Sequence, residues 1–368
     1  MTMIENRVSR LKPTSFSGFP SVEITPRQDY YILPADNRRL TKYVDRLENS
    51  ELALSHRRSH VIETGVMDPD KIAATLPEGV EIEHFESAIE HAMKLEAAVD
   101  LYIVAFNASA NHFSQSWLGR FFNRVWLPGE REHVPPFKNM LLSLGHSEES
   151  VDKSLRDVKN ETFTKYDNFT PVHSNASGMF AEYFSVKGYT YIMEMLRPAY
   201  PEAAQMVGGI RRVEANHLRW FRDMLATQLE SNPRLIYQLA ESIAGYTNIG
   251  KELFPDLHEK SQEWLPIIES NPKRIQKNLT QLSALVSPSN AAGGRLLLEV
   301  AGLTGIETGR FSPEQLRFFA DHLGEVGYSL VGEAVLLKLG LKEVFDDQGW
   351  IGNVKKRLRV WIADQISF

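Results

Sequence analysis

Two segments of this chain place a carboxylate three residues before an imidazole: Glu130-Arg131-Glu132-His133 and Glu214-Ala215-Asn216-His217. On a helix, residues i and i+3 share a face, so each pair can direct an oxygen and a nitrogen ligand at one point. A third pair, Glu81-Ile82-Glu83-His84, shows how readily the spacing arises in a chain with 11 His. The two pairs gain weight from two further glutamates, Glu96 before the first and Glu182 between them. Helices that enclose two irons or manganeses supply a Glu from each of two helices and a Glu-x-x-His from each of two others. The order Glu96, Glu130/His133, Glu182, Glu214/His217 meets that requirement.

The neighbours of these residues predict that they face inward. Glu96 lies on a helical stripe with Ile89, Met93, Val99 and Ile103. Glu182 shares its face with Met179, Ser185, Val186, Tyr189 and Met193, and Glu214 with Val207, Ile210, His217, Leu218, Phe221 and Leu225. A lone carboxylate in such surroundings costs several kcal/mol or takes up a proton, so each wants a cation. The chain has no Cys, which excludes disulfides, thiolate ligands and thiol nucleophiles, so a metal is held by oxygen and nitrogen.

The elements that must position these groups read as helices over 84–112, 116–144, 174–196 and 201–230, each interval between ligands fitting one helix, a turn and the next helix back. Pro135 and Pro136 follow His133 directly and predict that the second helix kinks or widens there, or begins only at Pro135. Residues 1–35, with four spread prolines, read as an extended arm. A helical pattern runs from Asn37 to Arg58, with loops at Asp68-Pro69 and Pro77-Glu78-Gly79. Beyond Asn232-Pro233 come further helices, among them one opened by Ser312-Pro313-Glu314-Gln315, a Ser cap, a first-turn Pro and a closing Gln. Sustained strand alternation is rare, so the expected fold is all-α: one domain over 1–368, with the metal core in 84–230 and additional helices in 231–368.

Composition narrows the function. With 368 residues, 43% of them hydrophobic, the chain suffices for a substantial core, and no run approaches a membrane span. The N-terminal stretch lacks an apolar signal region, so a cytoplasmic location is expected. The net charge of −6 argues against nucleic acid as partner. No Gly-x-Ser-x-Gly or phosphate-cradling glycine loop is present. Local basic patches stand at Arg38, Arg39, Lys42 and Arg46 and at Lys355, Lys356, Arg357 and Arg359.

With these residues in view, the chain resembles the soluble acyl-carrier-protein desaturases of the ferritin-like di-iron superfamily, best over residues 85–230. Arg124-Val125-Trp126 through Glu130-Arg131-Glu132-His133 is similar to the family's Arg-Ala-Trp and Glu-Asn-Arg-His. Phe180-Ala181-Glu182-Tyr183-Phe184-Ser185 resembles Phe-Gln-Glu-Arg-Ala-Thr, and Val213-Glu214-Ala215-Asn216-His217 resembles Asp-Glu-Lys-Arg-His. Thr308-Gly309 followed by Phe311-Ser312 and Gln315 is a weaker echo of the family's C-terminal Thr-Gly-Leu-Ser. Two departures are plain: Val213 replaces an Asp associated with the electron path, and the double proline is unusual. The arylamine N-oxygenases carry an extra His one turn before the last Glu, where this chain has Ile210.

The resemblance implies a ferritin-like four-helix bundle holding two Fe ions, or Mn, with O2 as co-substrate. In it Glu130 and Glu214 bridge, Glu96 and Glu182 are terminal, and His133 and His217 each cap one metal. It places Ser185 where the family has a hydroxyl near the oxygen-binding side. It also implies an acyl chain on acyl carrier protein, a ferredoxin-type electron donor and a homodimer. Phe106, Phe180, Phe184, Tyr189 and Phe221 are candidates to line the substrate tunnel, and Arg38, Arg39 and Lys42 to dock the acidic carrier. Three functions stay open: a desaturase or hydroxylase of a carrier-bound chain; a di-metal oxygenase or N-oxygenase of a small free substrate, which a short or polar pocket favours; and a non-catalytic metal-storage protein.

Overall fold

The computed structural model describes residues 30–50, 65–161, 170–236 and 249–263, with isolated positions from 238 to 292. The arm over 1–29, the Ser312 cap, the segment from Thr308 to Gln315 and the basic patch at Lys355 lie outside the described residues. All described secondary structure is helical, as the periodicity predicts, and no described helix is long and apolar enough to cross a membrane.

Glu96 is carried by α3 (Ile82–Ala97), which follows α1 (Pro34–Glu48) and α2 (Pro69–Ala73). Phe85, Ala88, Ile89, Ala92, Met93 and Glu96 form its buried stripe. The chain does not run on as the single helix expected over 84–112. At Ala98 one backbone N–H donates to both Leu95 and Lys94 carbonyls, tightening the turn, and α4 (Val99–His112) starts afresh.

The expected continuous helix over 116–144 is likewise divided. Short α5 (Ser116–Arg120) opens into a wide π-type stretch, Phe121–Trp126, then α6 (Leu127–Glu130), a turn at 131–133 and α7 (Val134–Ser143). The widening therefore lies before the ligand pair, and the helix restarts after it. Pro135 and Pro136 occupy the first turn of α7, where backbone N–H groups have no intrahelical acceptor and none is lost. The wide stretch buries Phe121, Phe122, Val125 and Trp126 together.

Next comes an amphipathic helix that the hydrophobic periodicity does not announce, α8 (Glu148–Asn160). Ser147 Oγ accepts the Ser150 N–H at 3.2 Å to cap it, and Lys138 pairs with Asp152 at 2.7 Å to hold it on α7. Long α9 (Pro171–Leu196) and α10 (Pro201–Ser231), joined by a tight turn over 197–200, run back along one another. Gly178 permits their close approach, since a Cβ there would lie 2.5 Å from the Phe221 ring. Two short helices, α11 (Ile249–Leu253) and α12 (Pro255–Gln262), lie against α3.

Outside this core, α1 buries Leu40 and Val44. Arg120 binds Asp45 and Glu48, each at 2.5 Å, fixing α1 to the end of α5. Arg38 and Lys42 remain on its exposed side, whereas Arg39 meets Glu230 at 2.6 Å in a solvent-exposed pair of small energetic weight.

The apolar interior falls into two large clusters. One gathers Phe106, Phe121, Phe122, Trp126, Met179, Trp220 and Phe221; the other gathers Phe85, Met93, Phe137, Met140, Ile192 and Ile210. Along α10, Ile210 belongs to one and Phe221 to the other, with Glu214 and His217 between. Met93 and Val99 flank Glu96 in the same way. The ligand residues thus make a polar layer between two hydrophobic cores.

Candidate metal centre

All six predicted ligands meet in this layer. Glu96 comes from the last turn of α3, Glu130 from the end of α6, His133 from the turn before α7, Glu182 from the middle of α9, and Glu214 with His217 from α10. Each is between 0% and 4% exposed. They form two overlapping groups, Glu96/Glu130/His133/Glu214 and Glu130/Glu182/Glu214/His217, the ligand atoms of each lying within 4.8 Å of one another. Glu130 and Glu214 belong to both. The third Glu-x-x-His plays no part: Glu81 N–H donates to His84 Nδ1 at 3.2 Å, and His84 Nε2 meets Glu263 at 2.9 Å, so this pair shapes the start of α3.

Both imidazoles turn Nδ1 into the cluster. His133 Nδ1 lies 2.9 Å from Glu214 Oε1 and 3.3 Å from Glu96 Oε2. His217 Nδ1 lies 2.6 Å from Glu130 Oε1 and 3.2 Å from Glu214 Oε2. Despite that proximity, Glu130 Oε1 and Glu214 Oε1 are buried with no hydrogen bond of acceptable direction. The other two contacts, His133 Nδ1 with Glu96 Oε2 and His217 Nδ1 with Glu214 Oε2, are hydrogen bonds, so Glu130 Oε1 and Glu214 Oε1 are the carboxylate oxygens left for an ion. Two flanking donors orient the outer carboxylates: Trp126 Nε1 donates to Glu182 Oε1 at 2.5 Å, and the Tyr189 hydroxyl donates to Glu96 Oε1.

The electrostatics of the cluster are those of closely packed buried carboxyls and imidazoles. Burial, with the nearby Glu214, holds the Glu130 and Glu182 carboxyls well above the usual range. Burial also opposes charge on His133, yet Glu214 and Glu96 outweigh it and push that imidazole up to about 10. Burial works against a Glu214 carboxylate, but His133 beside it holds the group well below its ordinary range. His217 is kept neutral by burial. Protons offset buried negative charge here, a task that divalent cations can also perform. Oxygen-rich sites with two imidazoles suit iron or manganese, and the residues fit either. The buried Glu/His group can hold metal.

A cavity of about 150 Å3 opens beside the cluster, bordered by Glu96, Glu130 and Glu182. Ser185 lines it, as do Phe184 and Tyr189 among the residues expected to face substrate. Phe106, Phe180 and Phe221 do not. Phe106 stacks on Phe122 at 4.5 Å between ring centres, Phe180 tilts against Tyr246 at 5.7 Å, and Phe221 meets Phe121 edge-on at 5.1 Å. At helical spacing, these three large rings fill the core between helices. The cavity has its room because Ala88, Ala92 and Gly188 are small, and its mostly apolar wall carries polar groups from His91, Lys187 and Ser261.

Trp126 and His91 are the residues whose roles sequence reasoning missed. Trp126 stood only within a motif. His91 lies off the apolar stripe of α3, and its one signal is its place between Ala88 and Ala92. Burial, then the charges of His258 and Lys94, lower His91 to about 3. The unfolded chain, with its His near 6.5, therefore takes up this proton first, and stability falls as pH drops from about 6.5 toward 3 by up to about 1.4 kcal/mol per pH unit. In urea unfolding, the stability of wild type minus that of His91→Gln is expected to be constant above pH 7 and to shrink below pH 6.5. A difference unchanged between pH 7 and pH 5 would contradict this.

No protein-family model matches the chain, and no curated protein or solved structure is found similar to it.

Proposed function

We propose that the chain is an O2-dependent, non-haem di-iron oxidase on a ferritin-like helical core, acting on a small free substrate. One observation carries the reading: six buried ligand residues form two groups that share Glu130 and Glu214. That arrangement suits two ions side by side, Glu96 and His133 completing one site and Glu182 and His217 the other. When bound, two ferrous ions supply electrons to O2 together, from an external donor of the ferredoxin type.

The protein's own residues do the rest. Tyr189 and Trp126 fix the outer carboxylates by hydrogen bonds, and Ser185 stands at the cavity wall beside Glu182. The two apolar cores exclude bulk water from either side. The size of the cavity supports the small free substrate among those that the sequence leaves open. About 150 Å3 is room for a benzene-sized molecule rather than a long acyl chain, and its wall, mostly apolar with a few polar groups, suits a small substrate of the same mixed character. The resemblance to acyl-carrier desaturases supports the metal and the use of O2, and less the carrier-bound chain.

Purified chain loaded anaerobically with Fe(II) is expected to retain about two irons. With a one-electron reductant it should then consume O2, and small amines and acids should accelerate uptake more than acyl carrier substrates do. Failure to retain iron or manganese sinks the oxidase reading. Faster uptake with acyl carrier than with any small substrate restores the desaturase.

A further inference from the structure

His91 and His258 stand apart from the ligand set and are not used by the chemistry above. His91, on α3, is buried, 6% exposed, and lines the cavity that Glu96 and Glu130 border. Its Nε2 lies 3.2 Å from Nδ1 of His258 on α12, with ring centres 5.0 Å apart. His258 is half-buried, so the pair extends from the cavity to the protein surface. Burial lowers both imidazoles, so the contact joins two neutral rings, one donating its N–H to the other.

An oxidase of the proposed kind needs such a path. Oxygen insertion converts RH, O2, two electrons and two protons to ROH and water; removal of two hydrogens converts RH2, O2, two electrons and two protons to R and two waters. Either way a reductant supplies two electrons and solvent two protons, which must cross the apolar shell around the centre.

We propose that His258 and His91 form a proton relay from solvent to the cavity beside Glu96 and Glu130. A water proton bonds to His258 Nε2 as the Nδ1–H bond of His258 breaks toward His91 Nε2. The Nδ1–H bond of His91 then breaks as its proton passes to a water in the cavity that Glu96 and Glu130 border. Each ring gains one N–H bond and loses one, ending neutral as the opposite tautomer; each is reset when it gives its Nε2 proton to water and takes one from water at Nδ1. Gly250 leaves space for the His91 ring, since a Cβ there would collide with His91 Nε2. The relay rests on the di-iron reading, and its test keeps the two apart.

The experiment uses the full chain with His91→Gln and His258→Gln, side chains that hydrogen-bond but do not shuttle protons. In metal-free wild type, 15N NMR is expected to show a coupling through the hydrogen bond between His91 Nε2 and His258 Nδ1, absent in both variants. After Fe(II) loading, both variants should keep the wild-type iron content. Oxidation of their iron by O2 should slow about tenfold or more, with an enlarged solvent deuterium effect, and added imidazole should rescue His258→Gln. Absence of the coupling, rates within about twofold of wild type, or indifference to imidazole overturns the relay. Wild type that retains no iron overturns the di-iron reading instead, and the relay's purpose with it, even where the coupling is seen.

Discussion

Glu214→Ala is expected to leave the purified chain without bound metal, while Glu96→Ala retains one ion of about two. Glu214 is common to both ligand groups and Glu96 belongs to one. Its carboxylate is fully buried, with Oε1 near His133 and Oε2 near His217, so its loss withdraws an oxygen from each half of the centre. Iron analysis after anaerobic loading and desalting reads the result directly. Unfolding provides an independent check. A ligand that binds only the folded state at a thousandfold excess over its Kd stabilises it by about 4 kcal/mol. Wild-type Tm should therefore climb with added metal, and that of Glu214→Ala should not. Equal metal content in Glu214→Ala and wild type would mean that the shared position is not a shared ligand.

Phe221→Ala is expected to destabilise the chain by about 3–5 kcal/mol, the usual cost of emptying an aromatic site in a packed core. Phe221 has no exposure and meets Phe121 edge-on, with Phe122 and Trp126 at 6.0 and 6.1 Å between ring centres. It also abuts the backbone of α9 at Gly178. Gly178→Ala alone forces overpacking and should cost about 1–3 kcal/mol. In the Phe221→Ala background the added methyl enters vacated space, so the two effects should fall short of additive by about 0.5–3 kcal/mol. Urea unfolding of the four proteins measures this. Simple additivity would show that the contact does not limit the approach of α9 to α10.

Much of the centre is legible in the sequence because α9 and α10 are continuous helices opened by Pro171 and Pro201. On such helices a carboxylate within an apolar stripe can point only inward, so Glu182, Glu214 and His217 follow from periodicity, and Glu96 follows from α3 in the same way. Glu130 and His133 are legible only by type and order, because the segment that holds them is not one helix. Phe121–Trp126 contains neither Gly nor Pro, and nothing local marks its wider winding. The prolines at 135 and 136 mark a break, but a restart and a kink read alike. Helix α8 is obscured by its charge, its apolar side being little more than Val151, Leu155 and Val158. The cavity is not legible, since its volume arises where Ala88 and Ala92 of α3 meet Gly188 of α9, a coincidence of small residues far apart in the chain. The same argument explains Phe106, Phe180 and Phe221: aromatic residues near a site in sequence are drawn to wherever the helices leave the most room.

The wide stretch at Phe121–Trp126 also sets an angular phase. Each residue of an α-helix advances about 100° around the axis, so a stretch wound more loosely delivers the next helical turn at a bearing that regular winding would not reach. Trp126 and Glu130 both lie at or beyond its end, and both aim at the centre. Deleting a single residue so that the stretch closes to α-helical winding would swing Glu130 by roughly a quarter turn, away from its five partners. Every candidate ligand would still be present in such a chain, and their common meeting point would be gone; the Glu130/His133 pair is specified by residue count as much as by residue type.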